Sequence, residues 1–197
     1  MVIDNFEILK PLLTFENEGD FYFLELIKRK AENPEMPKSQ RLIENFFIYN
    51  LEYLDEKKQE IIDLCTENKA RAYLRLNRRN DKKVALETLR LVAENVASEQ
   101  YKVRNCYDSA CGKFCSEPKK KWILDIDDKD FDETEMLKIL EKEIRPVDQG
   151  NKFYLKVPTP HGFHLITSPF DVGDFKKRGF QLDVHKDNPT ILYCNFD

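Results

Sequence analysis

The 197-residue sequence lacks the features that would assign it to a secreted or membrane class. Its first ten residues have neither the basic start nor the apolar run of a secretory signal, which predicts a cytoplasmic protein. Its apolar runs, such as residues 46–49, are too short to span a bilayer, so we expect no membrane association. There is also no internal repeat, low-complexity tract or Gly/Ser linker. These absences favour one compact unit with a substantial core.

The cysteines do not suggest a disulfide framework. Their number is odd, at five, and without a secretory signal reduced thiols are the default. Cys106, Cys111 and Cys115 lie in residues 101–118, which have no clear period and are predicted to form a loop. The spacing is not the usual C-x2-C, and no fourth ligand is evident. A zinc site and unpaired loop cysteines therefore both remain open.

Positive charge is concentrated in one short segment. The net charge of −4 argues against a protein that coats nucleic acid by bulk charge, yet a local basic track is compatible with it. Residues 71–83 carry six basic side chains against the single acid Asp81. The segment is either a solvated face or a track for a nucleic-acid backbone. In the second case Arg75, Arg78 and Arg79 are the predicted nucleic-acid-binding residues.

The first half of the chain predicts an αβ module over residues 1–100. Residues 21–31 are predicted to be helical, ending at the Pro-rich segment 33–37. Strands are then predicted at 42–49 and 72–76, with helices capped by Asp55 and Asp81. The last helix carries apolar residues at helical spacing, namely Ala85, Leu89, Val92 and Val96. A connecting loop over residues 101–120 is expected to follow.

The second half, residues 121–197, predicts a sheet with two helices. Strands are expected at 121–127, 153–157, 162–167, 180–184 and 191–195. One helix begins with a capping-box-like pair, Asp132 and Glu135, and ends before Pro146 and Gly150. The other covers 171–178 and is closed by Gly179. This β-α-β-β-α-β order with a final strand predicts an α+β fold whose split βαβ, RRM-like palm sheet follows the N-terminal module.

The acidic motif Asp125-Ile126-Asp127 ends the first strand of this sheet. Alternate side chains of a strand share a face, so the two aspartates point one way and the flanking Leu124 and Ile126 point into the core. Neighbouring carboxylates repel each other unless a cation lies between them. Mg²⁺ or Mn²⁺ prefers such oxygen ligands. The motif predicts either a metal site or a solvent-facing strand end.

Two further segments carry polar side chains in apolar strands. In Gly162-Phe163-His164, the glycine leaves space in which a phosphate could approach the backbone and the imidazole of His164. In Leu182-Asp183, the carboxylate lies on the face opposite the apolar side chains and needs a cation or hydrogen-bond donor if it is buried. Each segment taken alone is also compatible with a purely structural role.

Taken together, the three motifs resemble those of the archaeo-eukaryotic primase superfamily, which includes primase small subunits, primase-polymerases and the polymerase domains of bacterial end-joining ligases. The resemblance covers residues 122–184. It implies that Asp125, Asp127 and Asp183 hold Mg²⁺ or Mn²⁺ and that His164 contacts the phosphates of an incoming nucleoside triphosphate. His185 and Lys186 could add positive charge there, and Gly162 would leave room for the phosphates.

The resemblance implies a metal-dependent nucleotidyltransferase that acts on DNA or RNA. Members that prime de novo often carry a zinc module, a partner or a helicase domain, whereas here little sequence follows the palm. Extension is therefore favoured over priming, with a separate helicase or replication protein as the expected partner.

Two other hypotheses compete with this one. A non-catalytic RRM-like module would bind nucleic acid or nucleotides, but such modules use exposed aromatic residues rather than acids. A phosphotransferase of the haloacid-dehalogenase type requires Thr or Val where this sequence has Lys129, together with a parallel sheet.

Overall fold

A computed structural model describes residues 1–147 and 151–196. Within them the chain is an α+β protein with two antiparallel sheets and six α-helices. Gly150, one of the predicted helix-ending residues, lies outside this part of the chain. None of the described helices is long and apolar enough to cross a membrane.

The first sheet has six strands and uses both ends of the chain. Its path runs β1, β10, β4, β2, β3, and the short strand β5 pairs with β2. The strands are β1 (Val2–Asp4), β2 (Asp20–Arg29), β3 (Gln40–Ile48), β4 (Ala70–Leu74), β5 (Arg79–Asn80) and β10 (Thr190–Asn195). The final strand, which was predicted to extend the palm sheet, therefore lies between β1 and β4 of the first sheet.

The predicted helix over residues 21–31 is wrong, because this segment is the central strand β2. Burial of both faces of the strand explains the error: Leu24 and Leu26 are fully buried on one face, and Phe21 and Phe23 are buried on the other. A strand covered on both faces shows no clear period of two, so its apolar run is ambiguous in sequence. The segment forms a strand because it pairs with β3 on one side and with β4 on the other.

Helices cover the first sheet. They are α1 (Phe6–Leu9), followed by a 3₁₀ turn (Lys10–Leu12), α2 (Leu51–Asn68), α3 (Asp81–Ala97) and α4 (Cys106–Lys113). Helix α2 begins one turn before the predicted start at Asp55, because Asn50 Oδ1 accepts a hydrogen bond from Tyr53 N (2.7 Å). Helix α4 occupies the segment that was predicted to be a loop.

The second sheet has four strands in the order β7, β8, β6, β9. They are β6 (Trp122–Ile126), β7 (Phe153–Pro158), β8 (Phe163–Thr167) and β9 (Asp183–His185). Helices α5 (Thr134–Lys142) and α6 (Val172–Lys177) accompany them, and Asp171 Oδ1 caps α6 by accepting from Asp174 N (3.0 Å). At α5 the predicted cap forms in part, since Asp132 Oδ1 accepts a hydrogen bond from Thr134 N (3.0 Å).

The two faces of the second sheet have different partners. Leu124, Leu165 and Phe163 pack with the helices α5 and α6 in one apolar cluster. Ile123 and Ile166, on the other face, belong to the core of the first sheet. The sheets therefore pack together at one end of this face, and its other end, beginning at Asp125, is left to line a cleft.

A buried asparagine fixes the second sheet to the first. Asn77 is 1% exposed and follows β4. Its Nδ2 donates to Lys121 O (3.0 Å) and Lys186 O (3.3 Å), and its Oδ1 accepts from Lys121 N (2.7 Å). Because β6 and the segment after β9 are held by the same side chain, the strands that carry the acidic motifs have a fixed position against β4.

Candidate functional site

A cleft of about 420 Å³ lies between the two sheets. Its second-sheet wall carries both aspartates of the first motif and all three histidines of the protein. Its first-sheet wall carries two arginines and a tyrosine. The lining residues are Arg29, Arg71, Tyr73, Asp125, Asp127, Thr159, Pro160, His161, His164, His185, Asn188, Pro189 and Ile191. Acidic and basic groups thus face each other across one space.

Asp125 is the centre of the second-sheet wall. In the strand register it lies opposite His164 of β8 on one side and opposite Asp183 of β9 on the other. Residues directly opposite on antiparallel strands share a face, so the three predicted motifs meet at this point. His164 Nε2 lies 3.3 Å from Asp125 Oδ1, and His185 Nε2 lies 3.8 Å from Oδ2.

The imidazole of His164 is held from both sides. Its Nδ1 lies 2.8 Å from Thr190 Oγ1, and Thr190 is fully buried at the start of β10. In the neutral tautomer that fits both contacts, Nε2–H donates to Asp125 and Nδ1 accepts the threonine hydroxyl hydrogen. Both ring nitrogens are thus engaged, so a ligand oxygen that binds His164 must replace one of these partners.

The pKa of Asp125 lies below its ordinary value of 3.8, chiefly because of the hydrogen bond from His164, and in spite of partial burial, which raises it. The carboxylate is therefore ionised at neutral pH. An ionised, half-buried carboxylate beside two histidines can bind a cation or accept a proton.

We expect the substitution His164→Ala to raise the pKa of Asp125 toward 3.8, because it removes the hydrogen-bond donor that is the largest cause of the depression. A depressed carboxyl pKa stabilises the fold above the unfolded-state pKa, and that stability is lost as the pH falls through the folded-state pKa. The part of the stability difference that depends on Asp125 ionisation should thus be full above about pH 4 and vanish at lower pH, which leaves only the pH-independent loss of packing. Carboxyl-carbon NMR titration measures the pKa directly. Glu133, whose pKa is lowered by Lys156, is the internal control, and an unchanged Asp125 titration would contradict the assignment.

The other predicted residues divide into those that reach the cleft and those that do not. Asp127 and His185 line it. Asp183 shares the face of Asp125 but is exposed and is not among the lining residues. Lys186 lies over the ring of Trp122, with Nζ 5.0 Å from the centroid, and is not among the residues that line the cleft.

The glycine of the second motif has a different role from the predicted one. A Cβ at Gly162 would lie 1.8 Å from Ile126 O, so the end of β6 already fills the space beside it. Gly162 N donates to Thr159 Oγ1 (3.1 Å), and Thr159 N donates to Gly162 O (3.0 Å). Gly162 therefore allows the tight turn to pack against the acidic motif and does not leave room for a phosphate.

The predicted nucleic-acid track does not hold for two of its three arginines. Arg78 and Arg79 are 2% and 0% exposed, so they cannot follow a backbone on the surface. Arg78 is paired with Glu117 (Nε to Oε2, 2.9 Å), and Arg79 is paired with Asp187 (Nη2 to Oδ2, 2.8 Å). Arg75 is paired with Glu25 (Nη2 to Oε2, 3.2 Å). Arg78 and Arg79 are thus engaged in ion pairs inside the protein, and Arg75 in a partly exposed one.

The arginines that reach the cleft were not singled out from the sequence. Arg29 donates to the hydroxyl of Tyr73 (Nη1 to Oη, 3.1 Å). Arg71 is paired with Glu32, and its buried Nε has no hydrogen-bond partner among the described residues. One signal was available: Arg71 and Tyr73 alternate along a strand and so share a face. Arg29 was hidden by the incorrect helix.

No group of three or more His, Cys, Asp or Glu side chains among the described residues is arranged as a metal site. Cys106 and Cys111 are buried in α4, and burial raises the pKa of the Cys111 thiol to about 12. Of the predicted ligands, Asp125 and Asp127 reach the cleft, and their carboxylate oxygens have the chemistry that Mg²⁺ and Mn²⁺ prefer.

Comparison of the chain with known protein families, curated proteins and solved structures found no match.

Proposed function

We propose that this protein is a metal-dependent nucleotidyltransferase of the primase-polymerase type, which adds nucleotides to a nucleic-acid 3′ end. One observation carries the proposal: a single cleft gathers Asp125, Asp127, the three histidines and two arginines. The order of elements in residues 122–185, with the strands arranged β7, β8, β6, β9, supports an RRM-like palm.

The donors at the second-sheet wall fit a divalent cation. Asp125 is ionised and Asp127 is exposed at the end of the same strand, so both can offer oxygen ligands, and Asp183 lies opposite Asp125 on the same face. A bound Mg²⁺ or Mn²⁺ would lower the pKa of the attacking 3′-hydroxyl and neutralise charge on the leaving pyrophosphate.

Positive and polar side chains of the protein would bind the phosphates of the nucleotide. Arg29 and Arg71 face the acidic wall, and guanidinium groups bind phosphate oxygens with two parallel hydrogen bonds. Across the cleft, His164 would donate to the same triphosphate through Nε2 if a bound cation took over the Asp125 carboxylate that now accepts this hydrogen.

Extension of a labelled primer on a template tests the proposal. The assay uses Mg²⁺ or Mn²⁺ with each nucleotide type, and a de novo priming reaction runs beside it. We expect metal-dependent extension to exceed priming. Mn²⁺ with a nucleoside triphosphate should also raise the melting temperature, because both bind only the folded state. Nucleic-acid binding without metal-dependent addition under any of these conditions would leave a non-catalytic binding module.

The antiparallel second sheet removes one competing hypothesis. The haloacid-dehalogenase type requires a parallel sheet around its aspartates, whereas β6 pairs antiparallel with both of its neighbours.

A further inference from the structure

Helix α3 has two apolar faces, and only one of them is packed. Val84 and Leu91 face the inside and join the cluster around Phe21, Phe23 and α4. A second set points outward: Leu86, Leu89 and Val96 are 60%, 66% and 47% exposed. With Ala93, these residues follow spacings of three, four and three, which aligns them on one side of a helix. We refer to Leu86, Leu89, Ala93 and Val96 as the outer stripe.

The outer stripe shares two residues with the apolar pattern that predicted this helix from the sequence. The predicted periodic positions included Leu89 and Val96, and in the structure these face solvent. Single exposed leucines are common on protein surfaces, but an aligned apolar stripe along a helix marks a contact surface. Its residues take no part in the cleft.

Charges along one edge of the outer stripe indicate the partner. Lys83, Glu87, Arg90 and Glu94 follow one another at spacings of four, three and four, with signs that alternate from positive to negative. Read from its C-terminal to its N-terminal end, this edge has the opposite charge at every position. In an antiparallel pair of identical helices related by a twofold axis, the edge meets its own reverse.

In that pair, Lys83 of one copy meets Glu94 of the second copy, and Glu87 meets Arg90. Arg90 is paired with Glu87 and Glu94 of its own helix. The Glu94 and Arg90 side chains are 57% and 52% exposed and can also contact a partner, whereas Glu87 is 17% exposed. A parallel pair would set this edge against the opposite edge, where Thr88 and Asn95 are uncharged. We propose that α3 docks a second copy of this chain in antiparallel orientation and forms a twofold-symmetric dimer.

Sedimentation velocity of the full chain tests the proposal. At about 100 μM a dimer with a micromolar Kd is almost fully formed, so we expect wild type to sediment at twice the chain mass at that concentration. Leu89→Glu should weaken association by about a hundredfold or more, because it places two charges in the centre of the contact. The matched control is Leu42→Glu, at a leucine on β3 that is 46% exposed, and it should remain dimeric. Circular dichroism verifies that both variants fold.

A charge exchange tests the orientation. Lys83→Glu alone and Glu94→Lys alone each put like charges opposite one another in the antiparallel dimer, so each should weaken association several-fold. Mixing the two single variants recreates both opposite-charge contacts and should restore the dimer. A single-chain mass for wild type at about 100 μM, equal effects of Leu89→Glu and Leu42→Glu, or no recovery on mixing would overturn the proposal.

Discussion

Asp125→Asn abolishes metal-dependent nucleotide addition if the proposed function is correct. The substitution keeps the size of the side chain and its ability to accept a hydrogen bond from His164, but removes the negative charge at the centre of the second-sheet wall. Without that charge the cleft loses its ionised ligand, and nothing offsets the charge that develops on the attacking and leaving oxygens. We expect the rate of primer extension to fall by at least about a hundredfold.

The comparison variant is Asp130→Asn, an exposed acid four residues after β6 that should extend primers like wild type. Thermal unfolding should show that both variants are folded. The Mn²⁺-induced rise in melting temperature should also disappear in Asp125→Asn and persist in Asp130→Asn. Full activity of Asp125→Asn would remove the acidic motif from the catalytic machinery.

Gly162→Ala destabilises the protein because the new methyl group has no space. Its Cβ would lie 1.8 Å from Ile126 O and 3.0 Å from Asp128 N, both backbone atoms at the end of β6. Backbone cannot rotate aside as a flexible side chain does, so the turn or the strand must move. We expect the free energy of unfolding to fall by about 3 kcal/mol, which lowers the melting temperature by roughly 6–12 °C.

Gly112→Ala is the matched control for this effect. Gly112 lies in α4, and a Cβ there meets only Arg75 Nη2 at 3.6 Å, an ordinary contact. Alanine is the better helix former, so this variant should be as stable as wild type or slightly more stable. Calorimetry measures both variants, and a wild-type melting temperature for Gly162→Ala would show that the close approach is not a constraint.

The elements of the second half could be predicted because their signals are local. Residues 121–127 have an apolar strand ending in acids, and Asp171 precedes a short helix that it caps. The face of β6 on which Asp125 lies also followed from strand alternation, with Leu124 and Ile126 on the opposite face. These inferences need only the spacing of neighbouring residues.

The incorrect predictions arise where contacts between residues far apart in the sequence determine the structure. The basic segment predicted a surface track, but the partners that bury Arg78 and Arg79, Glu117 and Asp187, are 39 and 108 residues away. Spacing along the chain carries no information about such pairs. The same holds for Thr190, which reaches His164 from a strand of the other sheet. Tertiary pairing likewise turned residues 21–31 from a predicted helix into a strand.

The place of β10 between β1 and β4 bears on how the protein is made. During synthesis β4 leaves the ribosome more than a hundred residues before β10. One edge of β4 therefore stays unpaired while the whole second sheet is synthesised. Closure of that sheet and the threonine contact to His164 come from the same late strand. During synthesis, therefore, the cleft cannot reach its final geometry before the strand that joins the two ends of the chain has emerged.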